Sequence, residues 1–155
     1  MPTNSWPIVK PGSTTIDTWF ADKALGGVDG VSVAPDGSVY VNNVMTNKLY
    51  RIAVDADGAA GALTEITTST PLKGPDGMRF GDDGKLYLAE NAAGQVDALT
   101  ITGDTATVAV IKGGYDSPTA VSKVGNTLYV GEAKFSKMDG KSDPGMFYAY
   151  LVPLM

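Results

Sequence analysis

Val28-Asp-Gly-Val-Ser-Val-Ala-Pro-Asp-Gly-Ser-Val-Tyr-Val41 returns 47 residues later, without a gap, as Pro75-Asp-Gly-Met-Arg-Phe-Gly-Asp-Asp-Gly-Lys-Leu-Tyr-Leu88. A third copy, Pro118-Thr-Ala-Val-Ser-Lys-Val-Gly-Asn-Thr-Leu-Tyr-Val130, is one residue shorter at its turn. Tyr40, Tyr87 and Tyr129 mark the same place in each and are expected to be core packing. A repeat of this period is a supersecondary unit that buries its apolar face by stacking on its neighbours.

Each unit reads as short antiparallel strands. In the first, 31–34 and 38–42 flank Pro35-Asp-Gly37, a hairpin signal. The segment 48–54 alternates, and Asp55-Ala-Asp-Gly58 turns it into 62–68. The second unit repeats this at 78–81, 85–90, 95–102 and 105–112, and the third offers 120–123, 127–132 and 146–152. The segment 14–20 reads as one more strand ahead of the first unit. The expected fold is therefore an all-β propeller of four-stranded antiparallel blades. Three blades, at about 28–70, 75–113 and 118–152, make up one domain of 155 residues. Three blades do not close a ring. Two copies are therefore expected head to tail around a two-fold axis as a six-bladed homodimer, with 14–20 closing the partner's last blade. The alternative is that these blades are half of a longer chain. Trp6, Trp19 and Phe20 are expected at the inter-chain seam.

Composition narrows the chemistry. Nineteen glycines and nine prolines fit many tight turns. The chain has no cysteine and no histidine, which excludes disulfides, thiolate catalysis, a Ser-His-Asp triad and histidine-bound zinc. Twelve basic against seventeen acidic residues give a net charge of −5, which argues against nucleic acid or an anionic membrane as partner. No signal-peptide pattern opens the sequence, and no apolar run reaches membrane-spanning length. A soluble, cytoplasmic protein is expected.

Pro75-Asp-Gly-Met, followed by Asp83-Gly-Lys-Leu-Tyr-Leu-Ala-Glu-Asn91, resembles the gluconolactonase/regucalcin (senescence marker protein) family of six-bladed propellers. Gly27-Val-Asp-Gly-Val-Ser-Val, with Leu49-Tyr-Arg-Ile-Ala-Val-Asp-Ala-Asp-Gly58, is similar to the preceding blade of bacterial members, and Asp116-Ser-Pro-Thr-Ala120 to their closing blade. The likeness covers residues 14–152 and matches the C-terminal half of a typical member. It implies metal-dependent hydrolysis of lactones or related esters, with a divalent cation at the mouth of the central channel. Carried over by position, Asp76 matches the aspartate that serves as metal ligand and catalytic base. Asp29 stands where the family commonly has an asparagine ligand, and the first-blade glutamate ligand has no counterpart.

The residues themselves also point to this face. Asp29 and Asp76 begin innermost strands, so both are placed near the axis, under the loops 42–47, 91–94 and 131–145. Either can instead be a turn residue that caps its own backbone. In a dimer four carboxylates would share the mouth and call for protons or cations. Oxygen donors without histidine favour calcium, then magnesium or manganese, over zinc. Asn42, Asn43 and Asn91 are candidates for binding substrate or completing a metal shell, or else for capping loops. Glu90 and Glu132 end equivalent strands and are candidate acid–base groups or solvated strand ends, and Glu132 is also a candidate for binding substrate. Lys134, Phe135, Lys137, Met138 and Lys141 make the third loop either a basic lid or a plain soluble loop. The alternative to an enzyme is a non-catalytic half-propeller that binds a metal or ligand, or assembles with itself.

Overall fold

The computed structural model describes residues 5–154, and thirteen strands run through them. They are β1 (Ser5–Ile8), β2 (Asp17–Ala21), β3 (Val28–Val33), β4 (Val39–Asn43), β5 (Lys48–Val54), β6 (Ala60–Thr68), β7 (Pro75–Phe80), β8 (Leu86–Glu90), β9 (Gln95–Thr102), β10 (Thr105–Gly113), β11 (Pro118–Val124), β12 (Thr127–Glu132) and β13 (Ala149–Pro153). Three antiparallel blades result: β3–β6, β7–β10 and the three-stranded β11–β13.

Turn chemistry sets the hairpins. Gly37 (φ 88°) and Gly84 (φ 75°) adopt the left-handed conformation that glycine tolerates, and the side chains of Asp36 and Asp83 accept from the next backbone N–H groups but one. The third hairpin closes on Gly125-Asn126 between Val124 and Thr127, which is why that copy is shorter. Asp55-Ala-Asp-Gly58 is a turn, with the Gly58 N–H donating to the Asp55 carbonyl.

Three features depart from the sequence reading. The segment expected as a strand at 14–20 begins at Asp17, because Ser13 and Thr15 are held in a side-chain-bonded turn. It also pairs with β1, which the sequence reading did not include, so β1–β2 is a separate hairpin. The last strand starts at Ala149 rather than 146, since 146–148 belong to the loop that Lys134 holds. Finally, the first two blades share one eight-stranded sheet. The end of β6 runs parallel to the start of β10 through Thr67↔Thr105 and Thr68↔Ala106.

The core lies between blades, as stacking requires. Tyr40, Leu49 and Ile66 of the first blade meet Met78, Leu88 and Leu99 of the second, with Tyr40 edge-on to Phe80. Tyr87, Val96 and Ala98 of the second meet Val121, Leu128 and Val152 of the third. Trp6, Trp19 and Phe20, expected at a seam between chains, pack half-buried on Val41, Tyr50 and Ile52 of their own first blade. Tyr129 departs from its buried counterparts Tyr40 and Tyr87, because among the described residues no further blade covers its face.

Candidate functional site

The innermost strands carry the site. Each of β3, β7 and β11 slips in register at its start, between Val28 and Val31, Pro75 and Met78, and Pro118 and Ala120. A bulge of this kind re-aims the side chain it carries. Asp29, Asp76 and Thr119 occupy the three equivalent positions. Thr119 carries no chemical signal of its own in the sequence, yet the repeat alignment alone places it beside the two aspartates.

Gly30 and Gly77 let the blades come together there. A Cβ on Gly30 would lie 2.3 Å from the backbone oxygen of Asp76, and one on Gly77 would lie 2.4 Å from that of Thr119. Neighbouring bulges are thus brought close enough for the Asp29 charge to act on the Asp76 carboxyl. Asp29 is exposed and Asp76 half-buried. Asn91 Nδ2 donates to Asp76 Oδ2 at 2.9 Å and fixes its orientation. Burial raises the Asp76 pKa above the ordinary carboxylate value, and the charge of Asp29 pushes the same way. The Asn91 and Gly77 hydrogen bonds oppose both.

The other expected substrate residues are used to build this frame. Asn42, fully buried, accepts from the Gly30 N–H at 3.0 Å and donates to the Asp76 carbonyl at 2.5 Å. Asn43 donates to the carbonyls of Ala24 and Gly26 and accepts from the N–H groups of Met45 and Thr46. Glu132 accepts from the Asp116 N–H at 2.7 Å and from the Tyr150 hydroxyl at 3.1 Å. Glu90, at the equivalent position, accepts from the Lys73 N–H. Asn43, Glu90 and Glu132 therefore pin the segment that enters each innermost strand. Of the residues expected around the mouth, a side-chain hydrogen bond joins Asp76 and Asn91, and the charge of Asp29 bears on Asp76.

Lys134 does not project as a basic lid. Its backbone is left-handed (φ 55°), and its ammonium donates to the Pro144 and Met146 carbonyls, 5.1 Å from the centre of the Tyr148 ring. Arg51 lies away from the mouth, bonded to Gly103 and Asp104. A second acidic pair appears where the sequence carries no signal. Asp97 is fully buried beside Glu90, and Gln95 Nε2 donates to both carboxylates. Burial, then hydrogen bonding to Glu90, pushes the Asp97 pKa up to about 8.

Residues 10–148 match the family model described as the SMP-30/Gluconolactonase/LRE-like region. The chain belongs to this family. Its fold recurs in the calcium-binding protein regucalcin from Agrobacterium tumefaciens, with a TM-score of 0.76 and 23% identity over 98% of this chain and 53% of that one. A gluconolactonase from Xanthomonas campestris gives 0.72 and 15%, over 100% and 46% of the two chains. Virginiamycin B lyase from Staphylococcus aureus gives 0.62 and 19%, over 95% and 48%. The chain spans about half the length of these structures. No curated protein matches it. Among the described residues, no helix is long and apolar enough to cross a membrane.

Proposed function

We propose that the Asp29–Asp76–Asn91 mouth is the active centre of a lactone or related ester hydrolase. The observation that carries this reading is the interacting pair of carboxyls at matching bulges, one of them oriented by an amide and shifted toward neutrality. A carboxylate tuned upward is a better base near neutral pH. In the hydrolysis, Asp76 takes a proton from water as the water oxygen bonds to the acyl carbon. The ring C–O bond then breaks, and the leaving alkoxide recovers the proton from Asp76. Asn91 keeps Oδ2 aligned throughout.

A divalent cation, calcium first, is the expected cofactor. The donors fit such an ion in kind, since Asp29 and Asp76 are hard oxygen ligands. They do not complete a site by number, because no group of three His, Cys, Asp or Glu stands close enough to hold a metal among the described residues. Asp29 and Asp76 would hold the ion, with carbonyls or water filling its remaining positions. A bound cation would polarise the substrate carbonyl and stabilise the developing oxyanion.

The lack of a third ligand favours a second reading, a cation- or ligand-binding module without turnover. Gluconolactone hydrolysis followed by base uptake separates the two. Turnover that collapses in Asp76→Asn supports the hydrolase, whereas a calcium-dependent rise in melting temperature without turnover supports the binding module. Neither effect, or effects that survive the substitution, would remove Asp76 from both.

A further inference from the structure

We infer that the two open blade faces of this chain cover each other in a second copy, closing a two-fold ring in which each mouth site is flanked by the partner's. The internal interfaces reveal what these faces are for. On the side of each blade that meets the next one, Tyr40 and Tyr87 are 4% and 2% exposed, yet their counterpart Tyr129 is 41% exposed. On the side that meets the preceding blade, Met78 and Val121 are 5% and 7% exposed, yet Val31 is 43% exposed. Leu151, paired with Tyr129, and Val33, two residues from Val31, are exposed with them. Each open face thus carries the residue pattern that is buried elsewhere in the same molecule, and the two patterns are the two halves of one interface.

The edges agree with the faces. By connectivity, β2 leads into β3 as β6 leads into β7, so β2 is the outer strand of a blade that precedes the first. Trp19 Nε1 donates to the Gly58 carbonyl at 2.9 Å, just as Arg51 Nη1 donates to the Gly103 carbonyl at 2.9 Å in the next seam. The β1–β2 hairpin therefore covers the outer part of the first blade's face and leaves Val31 and Val33, on the innermost strand, bare. The third blade is its complement: three inner strands, with the far edge of β13 unpaired among the described residues. Pro7 in β1 marks that strand as an edge, so β2 offers the edge for β13 to join. A three-stranded sheet with an apolar outer side and a free third strand is what the bare part of this face fits, and β11–β13 of a second copy is such a sheet. Ala120 already carries the Cβ that Gly30 and Gly77 lack, so the seam between copies is wider at the axis than the internal ones.

The inference rests on these faces and edges, not on the hydrolase reading, and its test is mass rather than turnover. Light scattering of the 155-residue chain is expected to give about 32 kDa, twice the 16.1 kDa of one copy. Val33→Glu and Leu151→Glu, on opposite faces, are each expected to halve that mass while keeping the strand signal in circular dichroism. Val110→Glu, on the exposed outer strand of the second blade, is expected to leave it unchanged. Because each seam joins unlike faces, a mixture of the two disruptive variants retains one intact seam and regains a dimer. A 16 kDa particle for the unaltered chain, or open polymers of increasing mass, would overturn the proposal. So would a dimer indifferent to both face substitutions.

Discussion

Asn42 of the first blade donates its amide to the backbone carbonyl of Asp76 in the second, at 2.5 Å, while its own oxygen accepts from the Gly30 N–H. One buried side chain thus satisfies a bulge on each of two blades and sets the approach of the two aspartates. The axis of the molecule is held by a polar bridge rather than by apolar packing, and a buried bridge of this type is costly to break because both backbone partners stay buried.

Asn42→Ala is accordingly expected to destabilise the chain by about 2–4 kcal/mol, from two unsatisfied backbone groups and a small void. Chemical denaturation measures it. A loss below about 0.5 kcal/mol would mean that water or a backbone shift replaces the bridge. Asn42→Asp, which keeps the acceptor for Gly30 but sets a carboxylate oxygen against the Asp76 carbonyl, is expected to be at least as destabilised as Asn42→Ala at neutral pH and to recover in acid, where the protonated carboxyl can donate.

Gly77→Ala tests the close approach of the second and third blades. The added Cβ would lie 2.4 Å from the Thr119 carbonyl and 3.0 Å from the Ala120 Cα, both backbone atoms, so the strands must separate. Overpacking of this kind costs about 1–3 kcal/mol. The same change at Gly84, a turn glycine with nothing near its missing Cβ, costs only its backbone strain (φ 75°). Gly77 itself has no left-handed φ, so a loss at Gly77→Ala below about 0.5 kcal/mol would show that close contact does not explain the glycine at position 77.

Much of the architecture was readable because it is local. Pro35-Asp-Gly37, Asp82-Asp-Gly84 and the alternation of 48–54 each specify a turn or a strand without reference to the rest of the chain. The placement of Asp29 and Asp76 followed from the same repeat. What was not readable depends on distant partners. The β6–β10 pairing joins residues about forty apart, and β1 forms only against β2. Asn42 reads in the sequence as a substrate-binding or loop-capping residue, because its two partners belong to different blades. Tyr129 looked like core because the repeat says nothing about whether a further blade is present. Asp97 falls among the buried Val96, Ala98 and Leu99 of β9, and its partner Glu90 comes from the neighbouring strand.

Asp29→Asn tests the coupling at the mouth. The Asp76 pKa is raised by burial first, with the Asp29 carboxylate adding to it, so removal of that charge lowers the Asp76 pKa toward the ordinary value. If Asp76 is the base, the acid limb of the hydrolysis profile moves to lower pH. Carboxyl carbon NMR reads the same shift without any substrate. An unmoved Asp76 resonance profile would mean that the two carboxyls do not interact.

Asp97 is the sharpest test of the buried chemistry. In the third blade Glu132 accepts from the Tyr150 hydroxyl, and in the second blade the equivalent position to Tyr150 is Asp97, facing Glu90. A tyrosine brings its own proton to that contact, whereas an aspartate must be protonated to do so. With a folded pKa of about 8 against about 4 unfolded, the folded state holds more protons than the unfolded one between those values. This contribution to stability is full below pH 4 and is lost as pH rises toward 8. Asp97→Asn supplies a permanent N–H donor to Glu90 and no longer titrates. It is expected to raise the melting temperature at pH 8, change it little at pH 5, and flatten the dependence between them. A variant whose melting temperature falls as steeply as that of the unaltered chain would show that Asp97 does not carry the proton.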